Sequence, residues 1–279
     1  MLDLDKNFRP FPQHEPIAFD SFVFPGGEPH IRIAEGFDTS KTVKVSHRIR
    51  SFEDFGFLLM AVDALKRMGV RKIELFLPYF PAARQDRLMC TGEALSAKVY
   101  TDILNNLDLE NVTVFDPHSD VVPALLDRCR VIDNFAFVKE TVARINRPLT
   151  LVSPDGGALK KIYKLASRLQ GHEVVECSKS RDVKTGKLSG FSVYADDLDG
   201  QDCLIVDDIC DGGGTFIGLA EELKRKNSGK LYLAVSHGIF SKGTEALTDI
   251  FDGVFTTDSF RDLDESSKVE QIKIADLNL

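Results

Sequence analysis

Short apolar runs alternate with amphipathic stretches along most of this chain, and that alternation constrains its fold more than any other feature. "KIELFLP", "NVTVFDP", "LTLVSP", "EVVECS", "CLIVDD", "KLYLAVS" and "GVFTT" each read as a strand. Among the stretches between them, apolar residues at Phe52, Phe55, Leu58, Leu59, Val62, Leu65 and Met68 trace one helical stripe, which Gly69 stops. "TGEALSAKVYTDILNNL", "ALKKIYKLASRL" and "TFIGLAEELKRK" read as further helices. Strands that alternate with helices pair in parallel and are covered on both faces, so the expected class is α/β, with mainly parallel sheets flanked by helices.

A chain of 279 residues is long for one core, and two α/β domains are the economical reading. The join falls where "NFAFVKETVARINRP" links the two runs through a helix ending at Pro148. The expected domains are residues 1–137 and 138–279.

Composition excludes several classes of function. An apolar fraction of 43% and a charged fraction of 28% are those of a globular protein. A net charge of −8 lacks the basic footprint that sequence-independent nucleic-acid binding requires. No apolar run approaches the roughly 20 residues that span a bilayer, and the N-terminus has no secretory pattern, so a cytoplasmic, membrane-free protein is expected. The five cysteines, Cys90, Cys129, Cys177, Cys203 and Cys210, form no C-x-x-C pair, which suits a reducing compartment and disfavours disulfide or metal-thiolate chemistry.

In open parallel sheets, ligands sit at the carboxyl ends of the strands. There this chain carries "LPYFPAARQDR", "FDPHSD", "VSPDGG", "ECSKSRD", "VDDICDGGGT" and "VSHGIFSKGT". "VDDICDGGGT" is the most specific. Gly212, Gly213 and Gly214 allow backbone N–H groups to converge on an anion, and Thr215 opens a helix whose N-terminus adds partial positive charge. Asp207 and Asp208, as acceptor-only groups, suit sugar hydroxyls, so one ribose phosphate satisfies both ends of the stretch. The plainer alternative is an acidic, glycine-rich turn that caps the next helix.

His118 and Asp155 each follow a strand closely and are candidates to share a hydrated Mg²⁺, although histidine is an unusual ligand for that ion. His118 taken alone reads sooner as a helix-capping or core histidine, and its companions reverse that weighting. Lys179 and Arg181, expected on a loop after "EVVEC", suit charge developing on a transferring phosphoryl group, or else form a solvated basic loop. Arg84, Gln85, Asp86 and Arg87 follow a buried strand where a guanidinium fork grips polyphosphate, the alternative being a surface salt-bridge cluster.

Together, "FPGGEPHIRI", "MAVDALKRMGVRKIELFLPYFPAARQDR", "GEALSAK", "DPH", "VSPDGG", "KLASRL", "KSR" and "VDDICDGGGT" resemble the ribose-phosphate diphosphokinases, or phosphoribosyl pyrophosphate synthetases, in family order from about Phe24 to Phe260. The resemblance implies two tandem phosphoribosyltransferase-like domains, the first binding ATP and the second ribose phosphate. It implies Mg²⁺-dependent transfer of the diphosphoryl group of ATP to the anomeric hydroxyl of ribose 5-phosphate, releasing AMP. Phe24 and Glu28 would contact adenine; Arg84, Gln85 and Asp86 would hold ATP; His118 and Asp155 would serve the magnesium–ATP. Lys179 and Arg181 would stabilise the transition state, Asp207 and Asp208 would bind ribose hydroxyls, and Asp211, Gly212, Gly213, Gly214 and Thr215 would cradle the 5-phosphate. A homo-oligomer is implied as well.

Several positions depart from the family pattern. Gly26 stands where an Asp or Asn is usual, "LMCTG" replaces a basic run after "ARQDR", and Gly156 stands where a histidine is usual. Gly212 and Gly213 replace a Thr and a small residue, which is expected to leave room for an acceptor larger than ribose 5-phosphate, such as ADP-ribose. The chain ends at Leu279 without the family's closing helix, so the usual hexamer and its allosteric phosphate site are not expected to carry over unchanged. A non-catalytic regulatory relative would have lost "KSR", His118 or an aspartate of the ribose loop, and all are present.

Overall fold

The computed structural model describes residues 1–181, 188–264 and 268–279, with side chains outside 180–189. Met1–Asp133 together with Leu279 form one compact unit and Asn134–Asn278 the other.

The first unit runs β1 (Leu2–Asp3), β2 (Phe19–Val23), β3 (Pro29–Ile33), β4 (Val43–Ser46), α1 (Phe52–Arg67), β5 (Ile73–Leu77), α2 (Ser96–Asn105), β6 (Asn111–Phe115), α3 (Val121–Leu125) and β7 (Cys129–Ile132). Its sheet has the order β1-β4-β5-β6-β7, with every neighbouring pair parallel. Leu75, Leu77, Val112 and Val114 of the central strands pack in one core with Phe55, Leu58, Val62 and Leu65 of α1. Ser51 starts that helix with a capping box: its hydroxyl accepts from the Asp54 N–H, and the Asp54 carboxylate accepts from the Ser51 N–H.

Two local features differ from expectation. The second helix starts at Ser96 rather than Thr91, because the Glu93 carboxylate accepts N–H bonds from Met89 at 2.7 Å and Cys90 at 3.2 Å. With Gly92 in the left-handed region at φ 95°, that segment closes as a turn before the helix begins. The β2–β3 hairpin, read only as a motif in the sequence, is antiparallel and packs through Ile31 and Ile33 on the core. Phe22, Val23 and Phe24 at its far end are 51%, 51% and 46% exposed.

The second unit runs α4 (Phe135–Ile145), β8 (Thr150–Ser153), α5 (Leu159–Leu169), β9 (Val174–Arg181), β10 (Leu188–Val193), β11 (Cys203–Cys210), α6 (Gly214–Arg225), β12 (Leu231–Gly238), α7 (Glu245–Thr248), β13 (Gly253–Thr257) and β14 (Glu270–Ile272). Among the described residues its sheet has the order β10-β9-β8-β11-β12-β13-β14. The expectation of parallel pairing holds from β9 to β14 and fails at the edge, where β10 pairs antiparallel with β9. "KSR" therefore lies within β9 and not on a loop, because pairing with β10 carries the strand on to Arg181. Another strand, β14, follows "GVFTT" and closes the opposite edge. Among the described residues, no helix is long and apolar enough to cross a membrane.

Candidate active site

The acidic pair owes its setting to unequal strand lengths. On one side β11 pairs with β8 only from Cys203 to Ile205, while on the other it stays paired with β12 as far as Cys210. Asp207 and Asp208 thus extend beyond β8, at the carboxyl edge of the sheet. The Asp208 N–H donates to Asp207 Oδ1 at 2.9 Å, and the Ile209 N–H donates to Asp208 Oδ1 at 3.0 Å. Asp208 is buried and Asp207 is half-buried. Burial, then the neighbouring Asp208 charge, pushes the Asp207 carboxyl well above the usual carboxylate range. Both acids line a shallow recess between α5 and β11, with Asn134 and Lys161 on its wall. Sequence reasoning missed Lys161, which sits on α5 and carries no sequence signal of the face it presents.

Beyond the acids the chain turns into α6. Gly213 is the N-cap and sits at φ 76°, a left-handed conformation that costs a residue with a side chain roughly 1–2 kcal/mol. A Cβ there would also lie 3.2 Å from Leu247 Cδ2, so the backbone and its surroundings both select glycine. The first N–H groups of α6, from Gly214 and Thr215, have no intrahelical acceptor and point out of the helix end. Asp211 and Gly212 are half-buried on the approach to it. The room expected from the two glycines is only partly there: Leu247 fills the space at Gly213, and the Lys242 stem lies along Gly212.

Asp155 follows β8 by two residues. Its Oδ1 accepts from the N–H groups of Gly157 at 2.8 Å and Ala158 at 3.2 Å, and its Oδ2 forms an ion pair with Lys179 Nζ. Burial by itself would raise the Asp155 carboxyl, but the Lys179 ammonium and the two N–H donors outweigh it, and the group is held below the usual range. The structure therefore brings Asp155 and Lys179 together from β8 and β9. Each keeps 25% of its side chain exposed, so the pair is open to a ligand. The side chain of Arg181 lies outside the described residues.

In the first unit, His118 is exposed in the turn between β6 and α3, just after the buried Asp116 and Pro117. Arg84 and Gln85 are exposed and Asp86 is half-buried in the segment after β5. That segment is tied to α2 by the Ala97 N–H, which donates to the Gln85 carbonyl at 3.1 Å. Phe24 and Glu28 are the two ends of the β2–β3 turn, joined by the Phe24 N–H donating to the Glu28 carbonyl at 2.9 Å. A Cβ on Gly26 would run into the Glu28 carboxylate, which occupies the space of the side chain that Gly26 lacks.

A one-carboxylate site such as Asp155 suits Mg²⁺, an ion commonly held by one or two carboxylates together with substrate phosphates. Among the described residues, no group of three or more His, Cys, Asp or Glu is arranged to hold a metal by itself.

Comparison with known proteins assigns these features to a family. Residues 16–107 match the N-terminal domain of ribose phosphate pyrophosphokinase, and residues 127–262 match the phosphoribosyl transferase domain. The ribose-phosphate pyrophosphokinase of Mycoplasmopsis pulmonis is 31% identical over 225 residues, which cover 79% of this chain and 69% of the relative. That of Vibrio cholerae is 28% identical over 230 residues, covering 79% and 72%. The crystal structure of phosphoribosylpyrophosphate synthetase from Mycobacterium smegmatis shares the fold with a TM-score of 0.82, at 24% identity, over 95% of this chain and 89% of that one. Both units are accordingly phosphoribosyltransferase-like, each a sheet of mainly parallel strands with flanking helices. The chain belongs to the ribose-phosphate pyrophosphokinase family and is an enzyme of that family.

Proposed function

We propose that this enzyme transfers the diphosphoryl group of ATP to the anomeric 1-hydroxyl of ribose 5-phosphate, with Mg²⁺, to give phosphoribosyl pyrophosphate and AMP. The observation that carries the reading is the carboxyl edge of the second sheet. There an acidic pair, a glycine-rich helix N-terminus and a partly exposed carboxylate–ammonium pair occur on one unit. In the reaction a bond forms between the 1-hydroxyl oxygen and the β-phosphorus, and the bond from that phosphorus to the bridging oxygen breaks. AMP leaves with the bridging oxygen, and the hydroxyl proton passes to solvent.

Asp207 and Asp208 accept from the ribose 2- and 3-hydroxyls and orient the 1-hydroxyl. Asp211 to Thr215 hold the 5-phosphate with backbone N–H groups. Lys179, with Arg181, neutralises the charge on the transferring group, and positioning of this kind supplies most of the catalysis in phosphoryl transfer. Lys179 is held by Asp155 before substrate arrives, so its ammonium is already ordered. Asp155 and His118 serve the magnesium–ATP, and the ion supplies charge neutralisation on the polyphosphate. Residues 1–137 take the nucleotide, with Phe24 and Glu28 on adenine and Arg84, Gln85 and Asp86 on the remainder of ATP; residues 138–279 take the sugar phosphate. We place the enzyme in the cytoplasm, where ATP and five free thiols persist. The exposed Phe22, Val23 and Phe24 support a homo-oligomer.

A second reading shares the chemistry and changes the acceptor to a 5-substituted ribose such as ADP-ribose. It is favoured by Gly212, where the loop itself puts no side chain into the 5-phosphate site.

Phosphorus NMR with Mg-ATP and each acceptor decides between them. Phosphoribosyl pyrophosphate and AMP should form with ribose 5-phosphate; product with ADP-ribose alone would shift the assignment, and product with neither would end it. Lys179→Ala should lower kcat by on the order of a thousandfold, as removal of a charge-stabilising group does. Asp208→Ala should raise the acceptor KM and leave the ATP KM nearly unchanged. Equal effects on both substrates would refute the role given to Asp208.

A further inference from the structure

The stretch Val206–Thr215 contains three aspartates and no cation, so its only positive charge is the partial one at the start of α6, worth roughly half an elementary charge. An anion held there lacks a full counter-charge from the loop itself. The segment after β12 brings one. The N–H groups of Ile239 and Phe240 donate to the Cys210 carbonyl at 2.9 and 3.1 Å, and the Ser241 N–H donates to the Asp211 carbonyl at 3.1 Å. The Gly243 N–H then closes a turn by donating to the Phe240 carbonyl at 3.1 Å. The first three bonds fasten the segment Ile239–Ser241 onto the glycine loop, and the fourth closes the Phe240–Gly243 turn with Lys242 inside it.

The Lys242 side chain lies over the loop. A Cβ on Gly212 would meet its Cδ and Cε at 3.4 Å and its Cγ at 3.7 Å, ordinary van der Waals contact, so the stem follows the space a side chain at 212 would fill. The residue is exposed, and among the described residues its ammonium has no hydrogen-bond or ion-pair partner. The nearby Glu245 carboxylate instead accepts from the Thr244 N–H at 3.0 Å. A lysine held by its stem beside an anion cradle, with its charge unspent, is placed to act on that anion.

We propose that Lys242 is a binding residue for the anionic group on O5 of the acceptor. It supplies, from the following turn, the side-chain contact that Gly212 does not. This rests on the function proposed above and extends it, since it names a full charge in the 5-phosphate site. The chemistry recognised is a phosphate on the ribose O5, which a monoester such as ribose 5-phosphate and a diphosphate ester such as ADP-ribose share. An ammonium on a four-carbon stem acts as a point charge and accepts either.

The test is a comparison of wild type with Lys242→Ala, Lys242→Gln and Lys242→Arg. Loss of the charge-assisted contact should raise the acceptor KM about tenfold in the Ala and Gln variants, well beyond any fall in kcat, with the ATP KM unchanged. Lys242→Arg should restore the acceptor KM to within about threefold of wild type, because it keeps the charge. An acceptor KM within twofold of wild type in Lys242→Ala would overturn the proposal. So would Gln rescuing as well as Arg, since packing of the stem alone would then be the cause. Running both acceptors identifies the source of the phosphate: the one used physiologically shows the larger dependence on Lys242. If wild type transfers to neither acceptor, the proposed function fails independently. Calorimetric binding of inorganic phosphate then judges Lys242: binding lost in Lys242→Ala upholds the assignment, and equal binding in both proteins removes it.

Discussion

Asp207 and Asp155 sit at neighbouring strand ends and shift in opposite directions, so they link stability to pH with opposite signs. Asp207 is raised by burial and by Asp208, so the folded chain binds its proton more tightly than the unfolded chain does. Between the ordinary carboxylate value and the raised one, the folded state carries more protons, and stability falls as pH rises. Asp155 is lowered by Lys179 and two N–H donors, which outweigh its burial, so its contribution is present at neutral pH and is lost as pH falls through its depressed value. Asp207→Asn removes the Asp207 contribution. The difference in denaturant midpoint between Asp207→Asn and wild type should therefore widen in favour of the variant from pH 5 to pH 8, while its acceptor KM rises. Parallel stability profiles for the two proteins would show that the acids do not compete. At this scale the sequence was informative wherever a residue type carries its own chemistry. Adjacent aspartates and a run of glycines admit few readings. Lys161 and Lys242 were not legible, because a lysine on a helix or turn looks the same in sequence whether it faces solvent or a cradle.

Among the elements, β9 with β10 is the piece whose setting the sequence concealed. "EVVECS" reads as a strand and "KSR" as its loop, since three polar residues end an apolar run; the pairing of Lys179 with Phe191 carries the strand further. The partner strand "LSGFSV" has too few apolar residues to announce itself, as is common at a sheet edge. What holds this hairpin against the helix of the glycine loop is Phe191, whose ring lies against Gly218 of α6 so closely that any Cβ at 218 would overlap it. The strand carrying Lys179 and the helix carrying the glycine loop are thereby packed through one ring. Gly218→Ala should displace Phe191 and cost about 1–3 kcal/mol of stability, the usual penalty for overpacking. It should also lower kcat more than it raises either KM, because it shifts Lys179 without touching a substrate contact. Phe191→Leu, added to the same chain, should recover part of both losses. Simple additivity of the two substitutions in stability would mean that the ring and the helix are not coupled.

For the molecule as a whole, βα alternation was enough to anticipate two α/β units, because buried parallel strands must be apolar throughout and their helices must be striped. The β2–β3 hairpin escaped that logic: its outer residues are apolar and exposed, which violates the rule from which the alternation was read. The cysteines record the same division between interior and surface. Cys177, Cys203 and Cys210 belong to the core of the second unit. Burial raises Cys177 and Cys210 to about 12, and Cys203 and Cys129 to about 11, so these four stay protonated at neutral pH. Cys90 is raised as well, by its hydrogen bond to Glu93, but it is exposed and therefore accessible. A thiol-disulfide reagent at pH 8 should thus label one cysteine quickly in the native protein and all five after denaturation in guanidinium. Cys90→Ser should abolish the fast phase and leave the slow ones unchanged. If Cys177, Cys203 or Cys210 reacted at the Cys90 rate, the second unit would be opening in the native state far more often than its packing permits, and the thiol labelled would identify where.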